Sequence, residues 1–464
     1  MSRSVRLSPP RFTPLDAVEV ACRRNLEHRT HHIRVITPMF GGGPLPGEPD
    51  PVTAIRGPTI RGHLRFWWRA TVGARCASDP RALRDLEAEV WGSTDTGEVI
   101  GLSLDEVDRG LVTPCGRHES VRTHRGGWRW EFVGNDAFHG RNNALRYVVF
   151  PFEGKPSNEP GDGVRPKYDL EHPEPADCVS GTTFRLAVTY PRCHELDLTS
   201  HIEAALWAWT NFGGIGARTR RGCGALYCPD FAPTTAEVEN DDAWCRQYEA
   251  SVRTRTVPDV PTVAGGVALQ RGGIVDRPER AWKAAVEVIQ RFRQGLGVGR
   301  DGVRQRPGRS YWPEPESVRE LTGARSRRHA PQGHMLVEAF PRALFGLPII
   351  FHFAPNQGNP GGTELARPVD QAERMASPII TRPLMVKGGK SVPMIVRLSA
   401  PGPGALILRE TQPPRRSWSV SRDPSSCPPD PRDANSPMKG RSAHGCALEA
   451  FLRFADERGF EEVW

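Results

Sequence analysis

The spacing of apolar and polar positions along this 464-residue chain changes period several times, and each change marks an element. Over 31–37 (HHIRVIT), Ile33, Val35 and Ile36 predict a short strand, which Pro38 and Gly41, Gly42 and Gly43 bring to an end. Over 59–73 (TIRGHLRFWWRATVG) the spacing lengthens. Ile60, Leu64, Trp67 and Trp68 fall on one stripe of a helix, and a second helix is predicted over 80–91. Residues 105–180 are rich in Gly, Pro and charge, and read as a long irregular insertion with one strand at 147–152. A strand at 182–190, a helix at 200–211, a glycine-rich loop and a strand at 224–228 follow.

That order of strand, helix, strand, strand, helix, strand is the ferredoxin-like pattern, which is also the RRM topology. Polar stretches at 234–242 and 253–261 read as a linker. Beyond it, Trp282, Val286, Ile289 and Phe292 repeat at helical spacing and predict a helix over 277–296. Strands are expected at 347–353, 378–384, 392–398 and 405–408, with a closing helix at 446–459. The Pro/Ser-rich stretch 409–445 is expected to be mobile. The expected fold class is therefore α+β, with two ferredoxin-like (RRM-like) domains and long irregular insertions. Residues 1–233 form the first domain, with insertion 105–180 and glycine-rich loop 213–224. A linker spans 234–261, and 262–464 form the second domain. Length agrees, since single cores stop growing at roughly 250–300 residues.

Composition narrows the function classes. Lys and Arg total 62 against 54 Asp and Glu, a net charge of +8 with a pI near 9.1, which is compatible with a polyanionic partner. Of the basic residues only Lys155, Lys167, Lys283, Lys387, Lys390 and Lys439 are lysines. Arginine suits phosphate because its planar fork donates bidentately. Compositional bias of the coding sequence accounts for the same ratio, so both readings stay open. No apolar segment follows the basic start MSRSVRLSPPRF, so a secretion signal is not expected. The most apolar stretch, 343–354, is broken by Pro348 and His352 and too short to cross a bilayer. The 10 cysteines show no CxxC pair, and Cys223 and Cys228 lack a second pair, so a reduced, cytoplasmic chain without metal or cofactor is expected.

Two segments carry candidate chemistry. On the helix at 59–73, Arg61, Arg65 and Arg69 recur every fourth residue beside the apolar stripe, and Gly62 leaves a side bare. Like charges at that spacing repel by roughly 0.2–0.5 kcal/mol per pair, which a bound anion would relieve. A solvated basic face over an aromatic core is the other reading of the same pattern. In NFGGIGARTRRGCGAL (211–226), Gly213, Gly214 and Gly216 follow a helix, and Arg218, Arg220 and Arg221 precede Gly222 and Gly224. Glycines that expose backbone N–H groups, with arginines beside them, suit a phosphate; a plain flexible turn is the alternative. The loop is neither a Walker A loop nor a dinucleotide fingerprint. His31, His32, His63 and His139 are candidate general bases, but no HExxH, GxSxG or DxD motif supports them, and Asp136 and Asp276 carry no assignment.

Together these segments resemble a known family. ITPMFGGG (36–43) and IRGPTIRGHLRFWWRA (55–70) are similar to the N-terminal signature of the first subunits of type III-B (Cmr) CRISPR effector complexes. GGIGARTRRGCGAL resembles the glycine-rich loop of RAMP proteins, and FPRALFGLPIIFHF (340–353) and ERMASPIITRPL (373–384) resemble that family's C-terminal half. The resemblance implies a non-catalytic RNA-binding subunit, with guide RNA, target RNA and other RAMP subunits as partners and no small-molecule substrate. It implies RNA contacts at Arg56, Arg61, Arg65, Arg69, Gly213, Gly214, Gly216, Arg218, Arg220 and Arg221, with Arg382 and Lys387 after them. Two alternatives remain beside it. One is a metal-independent endoribonuclease maturing guide RNA, with His63 as base; the other is a mainly structural adaptor of the complex.

Overall fold

The computed structural model describes residues 25–463 apart from 44–46, 51, 96, 125, 141–142, 193, 241–243, 245–259, 264–268, 296–309, 325–337, 354–357, 371, 373, 414, 422, 424–435 and 443–444. Its first sheet runs β2 (Gly101–Asp108), β7 (Thr183–Pro191), β1 (Leu26–Val35) and β8 (Leu226–Tyr227), every pairing antiparallel. Strict alternation in β7 buries Phe184, Leu186, Val188 and Tyr190 against the helices. Helices α1 (Gly57–Trp68), α2 (Pro80–Trp91) and α3 (Leu198–Phe212) cover that face, and their apolar side chains join it in one core. Pro80 opens α2, and the Asp79 carboxylate accepts from the Arg81 and Ala82 amides, so the sequence itself sets where that helix starts.

The second half repeats this plan. Its sheet runs β12 (Ile379–Met385), β13 (Ser391–Arg397), β9 (Leu269–Arg271) and β16 (Glu461–Glu462), again antiparallel. Helix α4 (Pro278–Gln294) follows β9, and α6 (Ala447–Asp456) precedes β16. Each sheet thus has its chain-order strands arranged second, third, first, fourth, with a helical crossover before the second strand and before the fourth. β12 is buried along its whole length. Ile379 packs toward α4 and α6, while Ile380 and Leu384 join the core of the first half, so the two halves share apolar packing.

Several expectations are corrected. Residues 105–180 are not irregular: β2 ends in them, and they hold β3 (Leu111–Pro114) paired with β6 (Asp177–Ser180) and β4 (Gly116–Arg122) paired with β5 (Trp128–Gly134). The run at 147–152 is not a strand. Arg146–Val149 makes one helical turn and Phe150–Phe152 a tighter one, because Pro151 lacks the ladder donor and a short apolar run fits either state. The strands expected near 347–353 and 405–408 are β10 (Ile349–Phe351) and β14 (Leu406–Glu410). They lie with β11 (Thr363–Ala366) and β15 (Ser417–Val420) in a separate sheet, capped by α5 (Glu314–Thr322), and not in the second half's main sheet. Part of the expected mobile stretch 409–445 is therefore sheet edge, while 424–435 lie outside the described residues. The linker begins in order: Thr235–Asn240 is helical, with Thr234 and Glu237 bonding to each other's backbone amides, and most of 241–259 lies outside the described residues. No helix among the described residues is long and apolar enough to cross a membrane.

Candidate nucleic-acid interface

The stripe on α1 is buried as expected: Ile60, Leu64, Trp67 and Trp68 are core residues, and Trp68 Nε1 meets His201 Nδ1 at 3.0 Å. The arginine row beside it is not bare charge. Arg61 pairs with Glu98 and donates to the Ile100 carbonyl at 2.8 Å. Burial, then repulsion from Arg65, pulls its guanidinium below the ordinary range. Arg65 Nε and an Arg69 terminal nitrogen both reach Glu87 Oε1, each at 2.5 Å, and that carboxylate is buried. The anion that relieves the row is thus partly the protein's own, although Arg65 and Arg69 keep about a third of their side chains in solvent. Arg56 stands at the N-terminal boundary of α1 without capping it through its side chain, which bonds the Gly42 carbonyl and is half exposed. A Cβ at Gly62 would meet nothing within 4 Å.

The glycine-rich loop is built by packing across the halves. Arg218 and Gly222 both take left-handed backbone, with Gly222 at φ 81°. A Cβ there would sit 2.5 Å from Trp282 Nε1, so this glycine lets α4 approach. Gly216, at φ 84°, lies against the Phe40 carbonyl, and Gly213 packs against Trp67. Trp209 Nε1 donates to the Gly214 carbonyl at 3.1 Å, and Trp282 Nε1 to the Arg221 carbonyl at 2.6 Å. These glycines serve close packing, and their being a bare phosphate cradle does not follow from the geometry.

Among the arginines, burial separates roles. Arg382 is fully buried on β12 and donates to the carbonyls of Gly213 (2.5 Å), Leu226 (2.8 Å) and Pro383 (2.9 Å). It ties the loop and β8 to the second half, so its expected place among surface contacts is corrected: no side-chain nitrogen reaches solvent-borne RNA from there. Burial pulls its guanidinium down to about 9. Arg221 is buried too and donates to the Ile379 carbonyl at 2.8 Å and to Ser377 Oγ at 3.2 Å. Arg220 bonds the Ser377 carbonyl and lies over the Phe66 ring, 5.7 Å from its centre. Lys387 is exposed after β12.

Around Arg218 the structure gathers two residues that sequence reasoning missed. Arg293, on the polar edge of α4, donates to the Tyr147 hydroxyl at 3.1 Å. Burial would raise that phenol, but the charges of Arg293, Arg221 and Arg218 outweigh it and hold it below its usual value. Burial pulls Arg221 down to about 9, Tyr147 opposes that shift, and Arg293, Arg218 and Arg220 add repulsion. Arg218 Nε is buried and has no hydrogen-bond partner among the described residues. Among the described residues, none of Arg218, Arg220, Arg221 and Arg293 pairs with a carboxylate. Positive charge concentrated without a counter-charge, in a partly desolvated place, attracts phosphate strongly. Arg293 was hidden because only the apolar stripe of its helix repeats, and Tyr147 because its segment read as a strand.

A cleft of about 180 Å³ adjoins this cluster, lined by His63, Phe66, Trp67, Phe212, Thr219 and Arg220 among others. His63 stacks on Trp209 with ring centres 6.2 Å apart, and burial pushes its imidazole down to about 4. At neutral pH it is an uncharged ring with little basicity.

Residues 32–227 of this chain match the family model described as the RAMP superfamily. Its relatives there are Cmr subunits of the CRISPR system. It is 26% identical over 196 residues, covering 42% of this chain and 91% of the relative, to "CRISPR system Cmr subunit Cmr1-2" of Pyrococcus furiosus. It is 24% identical over 172 residues to "CRISPR system Cmr subunit Cmr1-1" of the same organism, covering 37% of this chain and 40% of that relative. Among solved structures it is similar to the apo crystal structure of Cmr1 from Pyrococcus furiosus, with 15% identity and a TM-score of 0.45 over 94% of this chain and 99% of that one. A cryo-EM structure of the type III-B Cmr-beta bound to cognate target RNA matches with 14% identity and a TM-score of 0.40, over 81% and 94%.

Proposed function

We propose that this chain is a non-catalytic RNA-binding subunit of a type III-B CRISPR effector complex, contacting the 3′ part of the guide RNA and helping to capture target RNA. Other RAMP subunits are its protein partners, the cytoplasm its compartment, and each half is a ferredoxin-like domain. The observation that carries the reading is the pair Arg218 and Arg293, which meet beside Tyr147 without a carboxylate partner among the described residues, with the buried Arg221 adding positive charge behind them. The similarity to Cmr subunits supports it. Such a cluster reads the backbone and not the bases, leaving sequence to guide–target pairing. The aromatic cleft next to it suits a stacked base. A nuclease role for His63 finds no support in an imidazole held near 4.

The test is to co-express the tagged chain with its neighbouring genes and a CRISPR array, then sequence the RNA that copurifies. Spacer-containing guide RNA with other RAMP subunits is expected. In the purified complex, Arg218→Ala and Arg293→Ala should each weaken binding equally across RNA sequences and lower the salt slope by about 0.7. RNA-free protein at low salt, or unchanged slopes in both variants, would overturn the proposal.

A further inference from the structure

We infer that His31, Cys228 and Asp230 form a binding site for one divalent transition-metal ion, with zinc the best match to the donor set. His31 lies on the core face of β1 beside Ile33 and Val35, and Cys228 and Asp230 directly follow the short edge strand β8. His31 and Asp230 are 199 positions apart, so no ligand spacing in the sequence announces them.

The geometry is close to a tetrahedral site. His31 Nδ1 is 2.7 Å from Asp230 Oδ2, Cys228 Sγ is 3.8 Å from the same oxygen, and one donor atom from each residue lies within 4.8 Å of the others. Zinc bonds of about 2.0–2.3 Å at tetrahedral angles separate N from O by about 3.3 Å and S from O by about 3.5 Å. One observed distance is shorter and the other longer. A shift of about half an ångström by the Asp230 carboxylate, which is half exposed, brings both into range. Nitrogen, thiolate and carboxylate donors together suit zinc better than calcium or magnesium, which prefer all-oxygen sets.

His31 Nδ1 is the nitrogen turned toward Asp230, and Nε2 is buried with no partner among the described residues. Phe231, its ring 5.3 Å from that of His31, walls one side. The exposed side of Asp230 gives the ion an entrance and leaves room for water as a fourth ligand. On binding, the Cys228 thiol gives its proton to solvent and becomes thiolate. The imidazole proton moves from Nδ1 to Nε2, so one proton is released per ion. As β8 pairs with β1 over a short register, Arg34 with Tyr227 and Val35 with Leu226, the ion would staple this sheet edge.

The experiment is a Co²⁺ titration of the full reduced chain, stripped with EDTA and read by absorbance. One equivalent should bind, with a thiolate-to-cobalt band in the near ultraviolet that Zn²⁺ abolishes. Cys228→Ser should lose the band, and Asp230→Asn should weaken affinity at least about tenfold while the far-ultraviolet spectrum stays unchanged. If Cys228→Ser does not fold, Asp230→Asn and the wild-type band decide alone. Absence of the band in the wild type, a band that survives Cys228→Ser, or unchanged affinity in Asp230→Asn each overturns the site. RNA binding enters none of these readings.

Discussion

Residues of one type hold very different roles here, and burial decides which. Arg382 and Lys387 are five positions apart and both basic, yet one is fully enclosed and the other exposed. The Arg382 guanidinium donates to three carbonyls in the buried junction, and a side chain without donors there would leave them short of partners. Arg382→Met should therefore destabilise the chain by about 2–4 kcal/mol, measured by urea denaturation. The salt slope of RNA binding by the folded variant should stay unchanged. A lowered slope with intact stability would return Arg382 to the RNA contacts. A lysine in its place does not restore the site, because a single ammonium cannot span carbonyls that the planar fork reaches together.

At the scale of elements, α1 shows why a repeating charge is ambiguous. The i, i+4, i+8 arginines were legible in the sequence, and so was the core stripe beside them. The partner of Arg65 and Arg69, Glu87, sits on α2 and projects into the same edge, which the period of α1 alone cannot reveal. Glu87→Gln removes the buried counter-charge from Arg65 and Arg69. The expected result is a stability loss of about 1–3 kcal/mol together with tighter RNA binding at low salt and a steeper salt slope. Weaker binding in a folded Glu87→Gln chain would mean that these two arginines serve the fold alone.

In the whole molecule the two repeats behave as one body, since β12 is covered by α4 on one face and by the glycine loop and α3 on the other. Arg221, Trp282 and Arg382 each bond across that junction. The intact chain should unfold in a single transition, with tryptophan fluorescence and far-ultraviolet circular dichroism giving coincident midpoints. Two separated transitions would show instead that the shared core is weaker than either half.

What the sequence determined by itself was local: helices near 59–73, 80–91, 200–211, 277–296 and 446–459, which the structure bounds at 57–68, 80–91, 198–212, 278–294 and 447–456, their apolar stripes, and the loop where glycines and arginines alternate. Period, caps and proline positions fix these without distant partners. The resemblance carried the RNA reading further than charge could. Only the tertiary structure decided which cations are left over. Glu87 and Glu98 neutralise the α1 row, carbonyls enclose Arg221 and Arg382 at the junction of the halves, and Arg218 and Arg293 meet beside Tyr147 without a counter-charge among the described residues. The short strands β9 and β16 escaped for the same reason. Their two or three residues carry no period, and pairing with neighbours far along the chain makes them strands.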